Sequence, residues 1–186
     1  MIKQRSQRLA ELEYIKDNKS SYIEFYSNKY SNEDDLDIEA LNIIGRVPVA
    51  TKSINETTFN LNIGFTIPPE EVICPSSPIE AINPAKTEIT LEDATLFDAG
   101  MIITIDEIAP LEIEITAKTG DVITVTPALP TADLITKTVK VLIKIIAVIA
   151  GGTSEEGTGE IYASGPYNRF KNATTPEILG TIVHDY

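Results

Sequence analysis

The sequence has few of the residues that usually build cross-linked or reactive sites. It contains one cysteine, one histidine and no tryptophan. Because Cys74 has no second cysteine, an intrachain disulfide and a metal site built from several thiolates are both excluded. We expect Cys74 to be a small buried hydrophobic residue. His184 lies near the C-terminus, where chains usually fray, so no catalytic dyad or triad is expected on it.

Positive charge is also scarce. The sequence contains 15 Lys and Arg residues and 28 Asp and Glu residues, which gives a formal net charge of -13. Such a field repels phosphate backbones and anionic bilayers, so we expect no direct contact with nucleic acid and no contact with a membrane. The acidity is explained either by solubility alone or by recognition of a basic partner surface.

Residues 1–14 lack the apolar segment that a secretion signal needs, so export by the usual route is not expected. Three Asn-x-Ser/Thr triplets begin at Asn18, Asn55 and Asn172. Without export they are interpreted as chance matches and not as glycan sites.

One apolar run, residues 134–150, is about as long as a minimal membrane span. It carries Lys137, Lys140 and Lys144, and each lysine would be costly at the centre of a bilayer. Its many β-branched residues favour extended backbone. We therefore predict a single strand of a soluble domain here.

Residues 1–45 are predicted to form a helical N-terminal segment. Within residues 4–19, Leu9, Leu12 and Ile15 recur at the spacing of an amphipathic helix. The acidic run 33–39 favours the first turn of a second helix that ends at Gly45. The same run could be asked to bind Ca²⁺, but it lacks the glycine and the closing glutamate of an EF-hand, so a solvated helix start is preferred.

Residues 46–163 have the pattern of a β domain. Leu111, Ile113 and Ile115 alternate with polar residues, which a strand's period of two places on one face. Short strands that meet at turns such as the one at Gly120 predict a mainly β fold. We expect a small antiparallel β barrel or sandwich with an α-helical N-terminal segment and extended arms. Its strands are predicted over residues 47–53, 57–65, 87–91, 101–105, 111–117, 122–126 and 134–150.

Two segments are predicted to extend from this domain. Residues 65–86 contain five prolines, and proline's fixed φ and missing N–H disfavour both helix interiors and central strands. We interpret this segment as an extended arm or long surface loop that a partner completes, because structureless loops of this length are unusual in compact domains. The C-terminal tail, residues 164–186, contains a predicted strand over residues 178–183 that could add to a neighbour's sheet.

The glycine-rich loop 152–158 has the glycine spacing of a phosphate-binding loop. Thr158 stands where the lysine should be, and Glu155 and Glu156 would repel a phosphate. Phosphate binding needs N–H donors together with a cation, and this loop has the opposite charge. We interpret it as a flexible loop tip.

Three acidic residues near strand ends, Asp98, Asp106 and Glu107, are weak candidates for an enzymatic carboxylate pair, since their spacing predicts no such geometry. Turn chemistry explains them. The sequence therefore predicts no enzyme, with no catalytic, cofactor-binding or metal-binding residue, no cofactor and no small-molecule substrate.

Most aromatic residues lie near the two ends of the chain, and the predicted β domain offers only Phe59, Phe65 and Phe97. Tyrosine pairs a large apolar area with one polar group, so we favour a helix-packing or interface role for the tyrosines.

Residues 91–130 resemble a small β module that recurs in tailed-bacteriophage virion proteins. The first strand of that module is matched by Phe97, Gly100, Ile103 and Ile105, and Met101 departs from it. The hairpin of the module is matched by Gly120, Asp121, Ile123, Val125, Pro127 and Leu129. The chain departs from the module at Pro110, which interrupts the approach to the third strand. The resemblance covers about a fifth of the chain. It implies β structure and a role as a virion building block, and it carries over no functional residue.

These expectations combine into one functional hypothesis. The chain is expected to be a non-enzymatic structural subunit of a tailed phage virion, in a neck, tail, baseplate or capsid-decorating position. It would be assembled in the host cytoplasm, and its partners would be other virion proteins and further copies of itself. The alternative is a receptor- or glycan-binding β module, for which Phe97 and Tyr167 are the positions to test.

Overall fold

The structure is a computed structural model that describes residues 5–18, 21–28, 42–55, 60–66, 74–106, 112–166 and 177–181. These residues form one helix and thirteen strands, so the mainly β class predicted from the sequence is confirmed. The elements are α1 Arg5–Asn18, β1 Ser21–Tyr26, β2 Ile43–Pro48, β3 Thr51–Asn55, β4 Asn60–Thr66, β5 Ser76–Ile82, β6 Glu88–Leu91, β7 Ile102–Ile105, β8 Ile113–Thr119, β9 Val122–Thr126, β10 Thr138–Val141, β11 Ile145–Ala150, β12 Glu160–Pro166 and β13 Glu177–Thr181. Within the described ranges, no helix is long and apolar enough to cross a membrane.

The chain divides into two compact units, each built from separated stretches of sequence. We call the unit formed by Tyr26–Ile44 and Ile73–Ile145 the ring unit. The second unit, formed by Met1–Phe25, Gly45–Val72 and Ile146–Tyr186, is called the open-sheet unit. The sequence predicted three consecutive segments, 1–45, 46–163 and 164–186, and the units do not follow these boundaries.

The ring unit contains six antiparallel strands that pair in a closed ring, in the order β10-β5-β6-β9-β8-β7. Pairing of β10 with β7 closes it. Alternate residues of each strand point inward, as the sequence pattern predicts for β6, β7, β8 and β9. The buried interior is rich in β-branched residues, which include Ile79, Ile89, Ile103, Ile105, Ile113, Ile115, Ile123 and Val139.

The proline-rich segment 65–86 is in part a ring strand and not an arm throughout. Residues 76–82 form β5, which pairs with β10 on one side and β6 on the other. Pro78 lies opposite Thr138 of β10, and its carbonyl accepts a bond from the Glu92 N–H, so the strand continues through the proline although proline has no N–H to donate. The prediction of an extended arm is therefore wrong for residues 76–82, while residues 67–73 lie outside the described part.

The apolar run 134–150 forms two strands and not the single strand predicted. β10 belongs to the ring, whereas β11 belongs to a sheet of the open-sheet unit. Lys140 and Lys144 fit this arrangement, because they alternate with buried residues and pair with acidic side chains. Lys140 Nζ lies 2.8 Å from Asp106 Oδ1, and Lys144 pairs with Glu112.

The open-sheet unit contains two sheets that end in strands with one paired neighbour each, within the part of the chain described. One is four-stranded, in the order β12-β11-β1-β2, and the other is three-stranded, in the order β13-β4-β3. The helix α1 is confirmed and packs on β3 and β4. The segment 1–45 is nevertheless not helical throughout, because Ser21–Tyr26 form the buried strand β1. The acidic run 33–39 lies outside the described residues.

The C-terminal strand is also confirmed, as β13, and it pairs with β4 of its own chain. The helix α1 packs on β3 and β4, the other two strands of that sheet. Addition of β13 to a neighbour's sheet stays a prediction, since β13 has one paired neighbour among the described residues.

Candidate functional site

Most residues considered from the sequence as possible catalytic or binding residues have local structural roles. Asp98 lies in an exposed turn, where its carbonyl accepts a bond from the Met101 N–H, and Asp106 pairs with Lys140. Cys74 is half-buried just before β5, and burial raises the pKa of its thiol. His184 and Glu107 lie outside the described residues. Among the residues that the structure places, no group of three or more His, Cys, Asp or Glu side chains could hold a metal ion.

Phe97, a candidate for sugar stacking, is a core residue with 2% of its surface exposed. Sugar stacking needs an accessible ring face, so Phe97 does not fit that role. Tyr167, the second candidate, lies outside the described residues.

The most unusual chemical group is an ion pair inside the open-sheet unit. Arg46 Nη1 of β2 lies 2.6 Å from Glu24 Oε1 of β1, and the two side chains are 2% and 1% exposed. Neighbouring strands β1 and β2 bring the two residues together. Two full charges are rarely buried in this way, because desolvation is costly unless hydrogen bonds replace the lost water.

The glycine-rich loop supplies further hydrogen bonds to this pair. Gly157 N–H donates to Glu24 Oε1 at 2.9 Å, and Arg46 Nη1 donates to the Thr158 carbonyl at 2.9 Å. Charge-assisted bonds of this kind are about twice as strong as neutral ones. The loop predicted to be a flexible tip is therefore attached at its base to a buried pair.

The loop is also closed by its own hydroxyl groups. Thr153 N–H donates to Thr158 Oγ1 at 3.0 Å, and Thr158 Oγ1 donates to the Glu155 carbonyl at 2.7 Å. Glu155 N–H in turn donates to Thr153 Oγ1 at 3.1 Å. These bonds fix the turn and leave Glu155 and Glu156 exposed at its tip.

Two glycines are required for this loop by both conformation and space. Gly152 has φ +80°, and a Cβ there would lie 2.6 Å from the Thr158 carbonyl oxygen. Gly159 has φ +97°, and its Cβ would lie 2.7 Å from Ile149 Cγ2. The glycine spacing that resembles a phosphate-binding loop thus serves close backbone packing.

Arg46 makes one further contact, with an aromatic ring, and two of its nitrogens make no hydrogen bond to a described residue. Its guanidinium carbon lies 4.2 Å from the centroid of the Tyr22 ring, which is the distance of a cation–π contact. Its Nε and Nη2 atoms are buried and make no hydrogen bond to any described residue. The guanidinium therefore uses Nη1 for both known acceptors, while its Nε/Nη2 edge is unpaired.

This arrangement can fix geometry and bind hydrogen-bond acceptors. Sequence reasoning missed the pair, although a signal was present. Glu24 in SYIEFY and Arg46 in IIGRVP are single charges of opposite sign within otherwise uncharged strands.

Comparison with protein-family models, with curated protein sequences and with solved structures found no match to this chain.

Proposed function

We propose that this chain is a non-enzymatic structural subunit of a tailed phage virion, in a neck, tail, baseplate or capsid-decorating position. It acts through contacts with other copies of itself and with other virion proteins, and it binds no nucleic acid directly. The observation that carries the proposal is that one unit has open sheet edges among the described residues, whereas the strands of the other close into a ring.

Open edges support a role in assembly because an unpaired strand edge is a template for another strand. In the described part of the chain, β12 and β2 end one sheet, and β13 and β3 end the other. In β3, the side chains of Thr51 and Ser53 are exposed, so this strand is accessible at the surface of the open-sheet unit.

The resemblance to the phage β module supports the virion part of the proposal. The residues that carry it are ring-unit residues, and Phe97, Ile103, Ile105, Ile123, Val125 and Leu129 are all buried there. Gly100 and Gly120 both have positive φ, as turn glycines of such a module require. The matched pattern therefore corresponds to one coherent piece of structure.

The proposal is tested by native mass spectrometry of the purified chain over a range of concentrations, combined with amide hydrogen exchange. We expect closed oligomers whose edge-strand amides become protected as the oligomer forms. A chain that stays monomeric at all concentrations, with edge amides already protected, contradicts the proposal.

Lysine substitutions separate edge pairing from general effects of charge. The double variant Thr51→Lys/Ser53→Lys places two charges on the edge strand β3 and is expected to weaken assembly. The matched control is Thr116→Lys, an exposed position of β8 that has a neighbour on both sides in the ring. The control should assemble like the parent chain.

A further inference from the structure

We propose that the Nε/Nη2 edge of Arg46 is a binding site for a carboxylate. The site would be formed by Arg46, the ring of Tyr22 and the base of the loop that joins β11 to β12. This inference does not depend on the proposed function, since it concerns a single side chain within the open-sheet unit.

The argument begins with the hydrogen-bonding capacity of the guanidinium. Nη1 carries two N–H groups, and its two acceptors are Glu24 Oε1 and the Thr158 carbonyl. The Nε–H and one N–H of Nη2 point in parallel on another edge, which is the geometry that matches the two oxygens of a carboxylate. Both nitrogens are buried and unpaired among the described residues.

An unpaired buried donor destabilises a protein, and a charged donor does so more than a neutral one. The guanidinium plane is fixed by Tyr22 on its face and by two acceptors on Nη1. The unpaired edge is therefore held in one direction, and an acceptor in the plane of the guanidinium satisfies both nitrogens at once.

The charge of the cluster selects among anions. Glu24 is already paired with Arg46, and a carboxylate adds one negative charge to this pair, whereas a phosphate dianion adds two. Burying the second charge is more costly. We therefore expect the site to prefer a carboxylate to inorganic phosphate.

Access to the site requires a local opening around Arg46. The Arg46 side chain is 2% exposed, and its Nε and Nη2 atoms are buried. Binding is thus expected to follow such an opening. The carboxylate could belong to a small molecule or to an acidic side chain of a second copy of this chain.

The test uses the full chain labelled with ¹⁵N, and it follows the arginine Nε–H resonances during titration with sodium acetate. We expect the Arg46 resonance to shift saturably with acetate, less with sodium phosphate, and not with sodium chloride at equal ionic strength. Arg5, Arg8 and Arg169 provide internal reference resonances. The Arg46 signal is assigned by its loss in Arg46→Lys or, if that variant does not fold, by its contacts with the Tyr22 ring protons in the parent chain.

A dilution series without acetate separates the two sources. A resonance that shifts with protein concentration, together with a dimer mass, assigns the carboxylate to a second copy. The control variant Lys140→Met removes an exposed cation of the ring unit and should leave the acetate response unchanged. The proposal is overturned if the Arg46 Nε–H exchanges rapidly with water, if chloride reproduces the shift, or if neither acetate nor protein concentration moves it.

Discussion

The two units differ in how their strands are paired and in which polar side chains they bury. The ring unit pairs every ring strand on both sides, and its buried polar side chains are serines whose hydroxyls bond to the main chain. Ser27 Oγ, for example, bonds both the N–H and the carbonyl of Ile102. The open-sheet unit has sheet edges and contains the two charged residues, Glu24 and Arg46, that are buried among the described residues.

The comparison indicates what each unit is built for. A closed ring with an apolar interior is complete through its own backbone pairing, so it needs no partner for its edges. A buried ion pair is weak evidence for stability, and where it is retained it specifies a particular arrangement. In this chain that arrangement is the attachment of the loop between β11 and β12 to the β1–β2 pair.

Breaking the buried pair should have the largest effect on stability. Arg46→Met leaves the Glu24 carboxylate buried without its cation, and we expect a loss of about 3–5 kcal/mol in the free energy of unfolding. The double variant Glu24→Leu/Arg46→Met should recover a large part of that loss, because it removes both charges of the pair. Urea denaturation of the single and double variants measures both values.

The control for this prediction is the exposed pair of the ring unit. Lys140→Met removes the partner of Asp106, and an exposed pair is worth about 0–1 kcal/mol. Equal losses for Arg46→Met and Lys140→Met would remove the contrast drawn between the two units.

The interior of the ring should be sensitive to cavities in the ordinary way. Ile115 is fully buried, and Ile115→Ala is expected to cost about 2–5 kcal/mol because the site cannot collapse completely. Ile135, which is 51% exposed in the same unit, serves as the control, and Ile135→Ala should change stability by less than about 0.5 kcal/mol. Chemical denaturation of the two variants, followed by circular dichroism, compares them directly, and similar losses would argue against a closely packed ring.

Two glycines show whether steric contact adds to backbone strain in the cost of replacing a glycine of the loop by alanine. Gly159 and Gly120 both have positive φ, but a Cβ at Gly120 meets nothing within 4 Å. Gly120→Ala should therefore cost about 1–2 kcal/mol from backbone strain. Gly159→Ala should cost more, since its Cβ also meets Ile149 and the Gly151 carbonyl. Thermal unfolding and the amide signal of Gly157 report the difference, and equal costs would show that the loop does not need this close packing.

The smallest expected effect is a pH dependence in the ring unit. Hydrogen bonds from the Thr95 side chain and backbone lower the pKa of Asp93. A lowered pKa contributes stability above the ordinary carboxyl range, and that contribution is lost as the pH falls through the folded value. Thr95→Val should raise the pKa of Asp93 toward its ordinary value, whereas Thr95→Ser should not. Carboxyl ¹³C titration by NMR decides between these outcomes.

The sequence predicts the ring strands where local signals agree. Ile113 and Ile115 alternate with polar residues, and Gly120 marks the turn before β9, so period and turn chemistry indicate the same structure. β5 was missed because Pro78 and the neighbouring prolines argue against a strand, and its pairing with β10, about 60 residues further along the chain, leaves no local signal. The split of residues 134–150 was missed because no glycine or proline marks the break at residues 142–144.

The buried pair is harder to predict for a physical reason. Glu24 and Arg46 are 22 residues apart, and their pairing depends on the order of strands in a sheet. The loop bonds add a third stretch of sequence, since Thr158 lies 112 residues from Arg46. Local patterns carry no information on such distances, although a lone charge in an apolar strand indicates that a partner is needed.

The course of the chain determines how the molecule can be taken apart. All six ring strands are consecutive, from β5 to β10, and they lie between β4 and β11 of the other unit. The ring strands are therefore one continuous stretch, but the ring unit also includes Tyr26–Ile44, so the chain passes between the two units at four points and not at two. A gene encoding residues 73–145 contains every ring strand, but it lacks Ser27, whose hydroxyl and carbonyl bond to Ile102.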